Sequence, residues 1–328
     1  LQGRYVQFLD RQVELCQREI IRTRREAAAN KLARMYLRRY EECRQQFEEV
    51  HRRNLLSSLL HFQQQGYVDL ITSSATHAFL PAFQTVPSVV RAQLAVAVRS
   101  HVRHFGVYPK GLWLPECGYY PGLEAHCREL DLGYFFVESH GLLFADSRPR
   151  HGVYAPLYCP NMVAAFGRDP ESARAVWSSE EGYPGDPVYR EFYRDIGFDL
   201  PLDYLRPFLP EEGVRVNTGI KYHAITGTGA TKRLYNPDPA RRKAQEHAEH
   251  FLVSRLQQVE RLATLMDRPP ILVCPFDAEL FGHWWFEGPE WLESLLRRLP
   301  AAKGKLVAVT PGEYLAEQPV QQIAQPCF

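Results

Sequence analysis

The amino-acid sequence predicts an α/β protein, and three observations support this prediction. Between residues 67 and 140, short apolar runs alternate with segments of helical period, which is the rhythm of strands and helices in α/β folds. A further apolar run at 271–276 again follows a long helical pattern. The chain has 328 residues, of which 45% are hydrophobic, so it can bury a large core.

The first part of the chain predicts amphipathic helices followed by the alternating elements. Residues 1–65 are rich in charge and carry apolar residues at helical spacing at Val6, Leu9, Val13, Ile20, Leu32, Met35, Tyr36 and Tyr40. We interpret this region as a helical insertion. The following segments predict, in order, a strand within 67–74, a helix at 86–106, a strand at 111–116, a helix at 121–130 and a strand at 134–139.

The second part of the chain begins with a long stretch of weak periodicity. Residues 140–235 are rich in Gly, Pro and Tyr and predict loops, and the segment 186–267 is expected to combine loop and helix. Its helix is predicted at 238–267, with Asp238 as N-cap and a buried face that includes Phe251. The remaining segments predict a strand from 271, a helix at 290–299, a strand at 305–310 and a turn and helix at 311–317.

The composition of the chain argues against several classes of partner and site. A net charge of +1, from 39 basic and 38 acidic residues, gives no reason to expect nucleic acid or an anionic membrane as a partner. Seven cysteines without a C-x-x-C pair predict neither a disulfide framework nor a zinc site, and we interpret them as reduced thiols of a cytoplasmic protein. No run of 18 apolar residues occurs. We expect a monomer.

Two acidic residues each end a short apolar run among aromatic residues. Glu116 lies in GLWLPECGYY and Asp277 in ILVCPFDAELFGHWW. The carboxyl ends of parallel strands carry the reacting groups of α/β enzymes, so both acids have the position of catalytic residues. Cleavage of a glycosidic bond needs one ionised and one protonated carboxyl group, and aromatic rings provide platforms for sugars. The alternative is that each acid caps a helix or pairs with an arginine.

Longer strings around these acids and elsewhere in the chain resemble glycoside hydrolase family 57. They are SSATHAFLP (73–81), WLPECGYYPG (113–122), FGRDPESARAVWSSEEGYPGD (166–186), YREFYRDIGFD (189–199), TGIKYHAITG (218–227) and PFDAELFGHWWFEGP (275–289). The resemblance implies an incomplete (β/α)7 barrel related to the TIM barrel, with retention of anomeric configuration. It also implies that Glu116 is the nucleophile and Asp277 the general acid/base. In a retaining enzyme the two carboxyl groups lie about 5 to 5.5 Å apart.

The resemblance also implies residues that contact the substrate. His77 matches a family histidine near the cleaved bond, and Arg168, Trp177 and Gly185 match positions that contact glucan. The aromatic surroundings of the two acids add Trp113, His283 and Trp284 to the predicted substrate site. Taken alone, His77 would suit a structural role. His283, Trp284 and Trp285 would suit packing under the barrel, and for Trp285 packing and substrate contact are equally suitable. We interpret Cys117 as a small packed residue rather than a reacting thiol.

Three departures from the family pattern bear on the expected extent of the chain. Family members begin with a strand carrying an H-x-H motif, which this sequence lacks. Branching enzymes of the family continue into a helical C-terminal region, which we expect to be absent here. A long loop found in some members has little room, because only 51 residues (117–167) separate Glu116 from Arg168. We therefore expect residues 1–328 to be the central catalytic barrel domain of such an enzyme.

The resulting hypothesis is a 1,4-α-glucan branching enzyme that acts on amylose, glycogen and maltooligosaccharides and requires no metal or organic cofactor. A hydrolase or a 4-α-glucanotransferase of the same family would use the same carboxylates and stays open. A non-catalytic glucan-binding fragment is a second alternative. A third is a metal-dependent deacetylase with His77 and His283 as ligands, although the short Asp and His spacing of such sites is missing.

Overall fold

The computed structural model describes residues 1–178, 181–209, 213–226 and 231–327. Its α-helices are α1 (Gln2–Arg22), α2 (Ala27–Gln45), α3 (Leu55–Gln64), α4 (Pro87–Phe105), α5 (Leu123–Glu129), α6 (Ser139–Leu143), α7 (Pro170–Trp177), α8 (Ile196–Asp199), α9 (Leu202–Leu205), α10 (Pro237–Ala263), α11 (Gly288–Arg298) and α12 (Pro311–Glu317). None of these described helices is long and apolar enough to cross a membrane.

The chain divides into two compact units, each built from three separate stretches. The helical unit comprises Leu1–Leu55, Ala175–Leu252 and Phe276–Arg298. The sheet unit comprises Leu56–Arg174, Val253–Pro275 and Leu299–Phe328.

The sheet unit contains a six-stranded, mostly parallel sheet. Its strands are β1 (Thr72–Ser73), β2 (Gly111–Trp113), β3 (Tyr134–Val137), β4 (Leu157–Tyr158), β5 (Ala164–Gly167) and β6 (Gln322–Ile323), in the spatial order β1-β2-β3-β5-β4-β6. The pairs β1–β2, β2–β3, β3–β5 and β4–β6 are parallel, whereas β4 and β5 are antiparallel. A parallel bridge between Arg168 and Val273 joins one further segment to the end of β5. The predicted α/β class is confirmed.

Side chains on both faces of the central strands β3 and β5 are mostly buried, as expected for parallel strands. Alternate residues of a strand point to opposite faces. Phe135 of β3 therefore packs with one cluster, which includes Leu94 of α4 and Leu123 of α5, while Tyr134 packs with another that includes Phe166. Helices thus cover the first face, and the second face carries aromatic residues.

The helical unit begins with α1 and α2, which are joined by a short turn. Buried Thr23 ends α1, and its hydroxyl donates to the Glu19 carbonyl. The Glu19 carboxylate is fully buried and accepts hydrogen bonds from Arg22, Tyr204 and Tyr222. Because each donor partly replaces lost hydration, a buried charge is tolerated here. The helices predicted within residues 1–65 are observed as α1, α2, a π-helical turn (Gln46–Val50) and α3, although α3 lies almost wholly in the sheet unit. That residues 1–65 are a single helical insertion stays a prediction.

The predicted helices are observed with small shifts in their ends. The helix predicted at 86–106 is α4, which ends in Gly106 in a left-handed conformation. The helix predicted from 238 begins at Pro237, so the prediction of Asp238 as N-cap was wrong. Asp238 instead lies in the first turn and pairs with Lys31 at 2.8 Å. At α12, Thr310 and Glu313 form a capping box, which explains why the helix starts at Pro311.

Several strand predictions were wrong in extent. Residues 305–310 form no strand. The run at 271–276 contributes only the bridge at Val273. The remaining residues of both runs pair with no described strand, so neither run becomes a full strand. The run predicted at 67–74 pairs only at β1. Conversely, β4 and β5 lie inside the stretch predicted as loops, where small residues such as Ala164 and Ala165 gave little strand signal.

Candidate active site

Glu116 lies on a strained turn directly after β2. It sits in a 3₁₀ helix (Pro115–Cys117), and both Glu116 and Cys117 have left-handed backbone conformations, with φ of 55° and 54°. Such conformations cost roughly 1–2 kcal/mol for residues with a Cβ, and they cluster at functional sites. The turn buries Leu114 and Cys117 but directs Glu116 outward, with 78% of its side chain exposed. Glu116 thus ends an apolar run while its own carboxylate is directed into solvent.

His77 is the residue that approaches Glu116 from a neighbouring loop. Its Nε2 atom lies 3.8 Å from Glu116 Oε1, and its backbone is also left-handed, with φ 54°. The loop is held by the His77 amide donating to the Ser74 carbonyl. A Cβ at Gly118 would come within 2.4 Å of the Phe79 ring, so the glycine permits the two turns to pack closely. The structure thus brings His77 and Glu116 together, and a contact between His77 and substrate stays a prediction.

Arg168 follows β5 and reaches toward the same turn. Its Nε atom lies 2.9 Å from Glu138 Oε1, as an ion pair rather than a well-directed hydrogen bond, and its Nη2 atom lies 3.9 Å from Cys117 Sγ. Burial raises the pKa of the Cys117 thiol to about 11, so this thiol is protonated at neutral pH and packs as predicted. Arg168 therefore places a cation beside the turn that carries Glu116.

Glu138 was missed as a site residue although the sequence held the signal. It follows the apolar run YFFV of β3, just as Glu116 follows an apolar run. An acid directly after an apolar strand is a candidate site residue, and applying this rule to every such acid would have identified Glu138.

Asp169 anchors the segment next to Arg168 and was also missed. Its carboxylate is buried and accepts from the Ser172 amide at 2.8 Å, Arg255 Nη1 at 3.0 Å and Gln258 Nε2 at 2.8 Å. Its own amide donates to the Val273 carbonyl at 2.8 Å. One buried carboxylate thus ties together the start of α7, the helix α10 and the 271–275 segment.

Asp169→Ala is expected to destabilise the protein by about 3–5 kcal/mol, because it removes one partner of a buried ion pair. The matched control is Glu171→Ala. Glu171 pairs with Arg261 at 2.6 Å, but its side chain is 43% exposed, so its loss should cost at most about 1 kcal/mol. Urea unfolding of both variants measures the difference. Equal destabilisation by the two substitutions would contradict the anchoring role of Asp169.

Trp113, the last residue of β2, lines an apolar cavity of about 540 Å³ in the sheet unit. Its ring lies 6.0 Å from that of Phe136, and Ile271 and Val273 complete the nearby wall. The side chain is half-buried on the aromatic face of the sheet. A contact between Trp113 and substrate stays a prediction.

In the helical unit, Trp177 and Trp284 meet edge to face. Their ring centroids lie 5.9 Å apart, and Trp284 is 42% exposed. His283 is exposed and contacts Trp284, with ring centroids 6.2 Å apart, and Phe192, at 5.3 Å. Trp285, by contrast, is 1% exposed and belongs to the core, so the packing interpretation holds for it. Trp177, which is half-buried, and Trp284, which is exposed, thus form one pair of rings that solvent can reach.

Gly185 ends a 3₁₀ turn (Tyr183–Gly185) and is exposed. The turn is held by α10, because the Tyr183 ring stacks on His247 at 4.6 Å and its hydroxyl bonds His250 Nδ1 at 2.7 Å. Of the strings that carry the family resemblance, Ser179, Glu180 and Gly227 lie outside the described residues.

Asp277 occupies the N-cap position of a 3₁₀ helix (Ala278–Leu280), but its side chain makes no capping hydrogen bond and is exposed. Among the described residues, neither Asp277 nor Glu116 pairs with an arginine. The contacts of the two acids therefore do not support the alternative in which each acid caps a helix or pairs with an arginine. Glu116 and Asp277 belong to different units, and their expected spacing stays a prediction.

Within the described ranges, no group of three or more His, Cys, Asp or Glu side chains is placed to hold a metal ion.

Comparison with known sequences identifies relatives over most of the chain. A family model described as glycosyl hydrolase family 57 matches residues 2–325. The 1,4-alpha-glucan branching enzyme of Thermococcus kodakarensis is 36% identical over 281 residues, which are 75% of this chain and 38% of that enzyme. A probable 1,4-alpha-glucan branching enzyme of Mycobacterium tuberculosis is 33% identical over 250 residues, 72% of this chain and 40% of the relative. The matches span about two fifths of these curated relatives.

Comparison with solved structures gives two kinds of neighbour. An alpha-amylase, AmyC from Thermotoga maritima, is 42% identical with a TM-score of 0.94, covering 99% of this chain and 63% of that one. A GH57-type branching enzyme from Pyrococcus horikoshii is 28% identical with a TM-score of 0.84, covering 99% of this chain and 59% of the other. The neighbours therefore differ in the activity for which they are named.

Proposed function

Because the chain belongs to glycosyl hydrolase family 57, we propose that it carries the catalytic residues of a retaining enzyme that acts on α-1,4-glucans, and that this enzyme is a 1,4-α-glucan branching enzyme. The observation that carries the proposal is the strained turn after β2, which presents Glu116 to solvent with His77 3.8 Å away. The branching enzymes among the curated relatives favour the specific activity.

The proposed reaction has two steps. In the first, the Glu116 carboxylate attacks the anomeric carbon of an α-1,4 link, and the bond to the glycosidic oxygen breaks as Asp277 gives that oxygen a proton. The product is a glycosyl ester on Glu116 and a shortened glucan. In the second, Asp277 takes the proton of a 6-hydroxyl on an acceptor glucan, the oxygen attacks the anomeric carbon, and Glu116 leaves as a carboxylate.

The surrounding residues have proposed roles of their own. His77 would hydrogen-bond the sugar bound next to Glu116, and Arg168, fixed by Glu138, would hold a positive charge beside the developing ester. Trp177 and Trp284 would form a platform for further glucose units, with Trp113, Gly185 and His283 as additional contacts. We also propose that the parallel sheet belongs to an incomplete (β/α)7 barrel, which the parallel bridge at Val273 supports.

A second candidate is hydrolysis, which the likeness to the Thermotoga α-amylase favours. Both activities share the first step and differ in whether water or a sugar hydroxyl accepts the glycosyl group. NMR of the products formed from amylose distinguishes them. New α-1,6 signals support branching, shortened linear chains indicate hydrolysis, and redistributed α-1,4 chains indicate a glucanotransferase. Binding without any turnover would contradict all three.

Trp177→Ala is expected to weaken glucan binding by about 1–3 kcal/mol, the scale of one aromatic contact, with little loss of stability. Trp285→Ala is the matched control. Since Trp285 is buried, its truncation should destabilise the fold by about 3–5 kcal/mol. Titration with maltoheptaose and thermal unfolding separate the two effects. A lowered melting temperature of the Trp177 variant with unchanged glucan affinity would show that Trp177 is a core residue.

A further inference from the structure

A basic cavity of about 570 Å³ lies at the β4–β6 edge of the sheet unit. The basic residues that line it are Arg148, Arg150, His151 and Arg268, and no acidic residue is among its described lining residues. In the strand order, β4 and β6 stand at the edge opposite to β1 and β2, the strands next to His77 and Glu116. The cavity is therefore separate from the candidate active site.

Two of these cations lack a counter-ion within the part of the chain that the structure describes. Arg268 donates to the Val320 carbonyl and contacts Asp267, and His151 lies 3.1 Å from the same Asp267 carboxylate. The guanidinium groups of Arg148 and Arg150, in contrast, pair with no carboxylate among the described residues. The cavity thus keeps an excess of positive charge after its nearest acid is counted.

The backbone that carries the two unpaired arginines is fixed. Gln322 of β6 donates from Nε2 to the Arg148 carbonyl at 3.0 Å and accepts the Arg150 amide on Oε1 at 2.9 Å. One side chain of the sheet therefore fixes the backbone of both arginines beside the same cavity, while their side chains are exposed. Such preorganisation lowers the entropy that a ligand would have to remove.

The chemistry of the cavity selects its ligand. Two guanidinium groups carry two positive charges and can bind a group with two negative charges. A phosphomonoester has a charge of about −1.5 to −2 at neutral pH. The volume is that of a small-molecule site and exceeds what a phosphate group alone would fill. The rest of the wall is uncharged and includes Pro149, Pro156 and Ile323, which suits a compact organic part.

We propose that this cavity binds a small sugar phosphate, with Arg148 and Arg150 holding the phosphate group. The site lies away from the strand ends that carry the proposed catalytic residues, so the ligand would be an effector and not the substrate. The proposal does not depend on the activity of the enzyme, because binding is measured directly.

The test is calorimetric titration of the full-length protein with glucose 1-phosphate, inorganic phosphate, ADP and glucose at one fixed ionic strength. Glucose 1-phosphate is expected to bind and glucose is not. An Arg148→Gln, Arg150→Gln variant should bind glucose 1-phosphate at least about tenfold more weakly, as expected for lost hydrogen bonds to a charged group. The matched control is Arg99→Gln, Arg103→Gln, which removes two exposed charges from α4 and should change affinity less than about twofold.

Each other outcome overturns the proposal. Equal weakening in both double variants would mean that only general electrostatics attracts the ligand. Inorganic phosphate binding as tightly as glucose 1-phosphate would show that the sugar contributes nothing, and tighter binding of ADP would assign the cavity to nucleotides. Absence of binding by all probes would rule out an anion site. Unchanged melting temperatures of the variants establish that the arginine substitutions leave the fold intact.

Discussion

Glu116→Gln is expected to lower turnover of α-glucan by about 10⁴-fold or more while leaving the protein folded. The amide is a poor nucleophile, so the glycosyl ester cannot form. The fold should persist because the Glu116 side chain is largely exposed and its contact with His77 is as long as 3.8 Å. Initial rates on amylose, together with circular dichroism and melting temperature, measure both parts of the prediction.

Glu138→Gln is the matched control for this substitution. Glu138 also follows a strand of the sheet unit and undergoes the same change from carboxylate to amide, but its proposed role is only to hold Arg168. Its loss should therefore cost far less activity. A residual rate of the Glu116 variant within about tenfold of the parent would remove Glu116 as nucleophile.

Asp277→Ala is expected to lower turnover of glucan by roughly 10²–10⁴-fold, the usual contribution of a general acid/base. The loss should be much smaller with α-maltosyl fluoride, because fluoride departs without a proton. Azide should restore part of the rate, since it attacks the glycosyl ester without needing a base. Kinetics with both substrates, with and without azide, provide the measurement.

Glu279→Gln serves as the control for Asp277, because it is an exposed acid two residues along in the same 3₁₀ helix. We expect it to keep nearly full activity. If Asp277→Ala instead loses the same factor on glucan and on the fluoride and azide has no effect, Asp277 has a structural or substrate-binding role.

The fold could be predicted from sequence where local pattern and tertiary structure agree. Helix α4 has both helical period and a left-handed Gly106 at its end, and it was predicted within one residue at each end. Strands β4 and β5 could not be found, because they are short and become strands only through pairing with neighbours. The apolar run at 305–310 is the converse case, because strand propensity without a partner strand produces no strand.

In the candidate site, too, features set by local sequence could be predicted, whereas features set by tertiary contacts could not. Position after an apolar strand predicted Glu116, and its pairing with His77 is observed. The outward direction of Glu116 could not be predicted, because it depends on left-handed backbone at two residues that are not glycine. Asp169 carries no pattern of its own, and its importance follows from Arg255 and Gln258, two donors contributed by a distant part of the chain. Trp284 and Trp285 are adjacent, and only packing decides which is exposed.

Glu116 is proposed to form a covalent ester with the glycosyl group. The most direct measurement uses a fluorinated α-maltosyl fluoride whose glycosyl ester forms quickly and breaks down slowly, followed by proteolysis and mass spectrometry of the full-length protein. We predict one added glycosyl mass, located on the peptide that contains Glu116. A label on the peptide that contains Glu138, or turnover of the reagent without any labelled peptide, would remove Glu116 as the nucleophile.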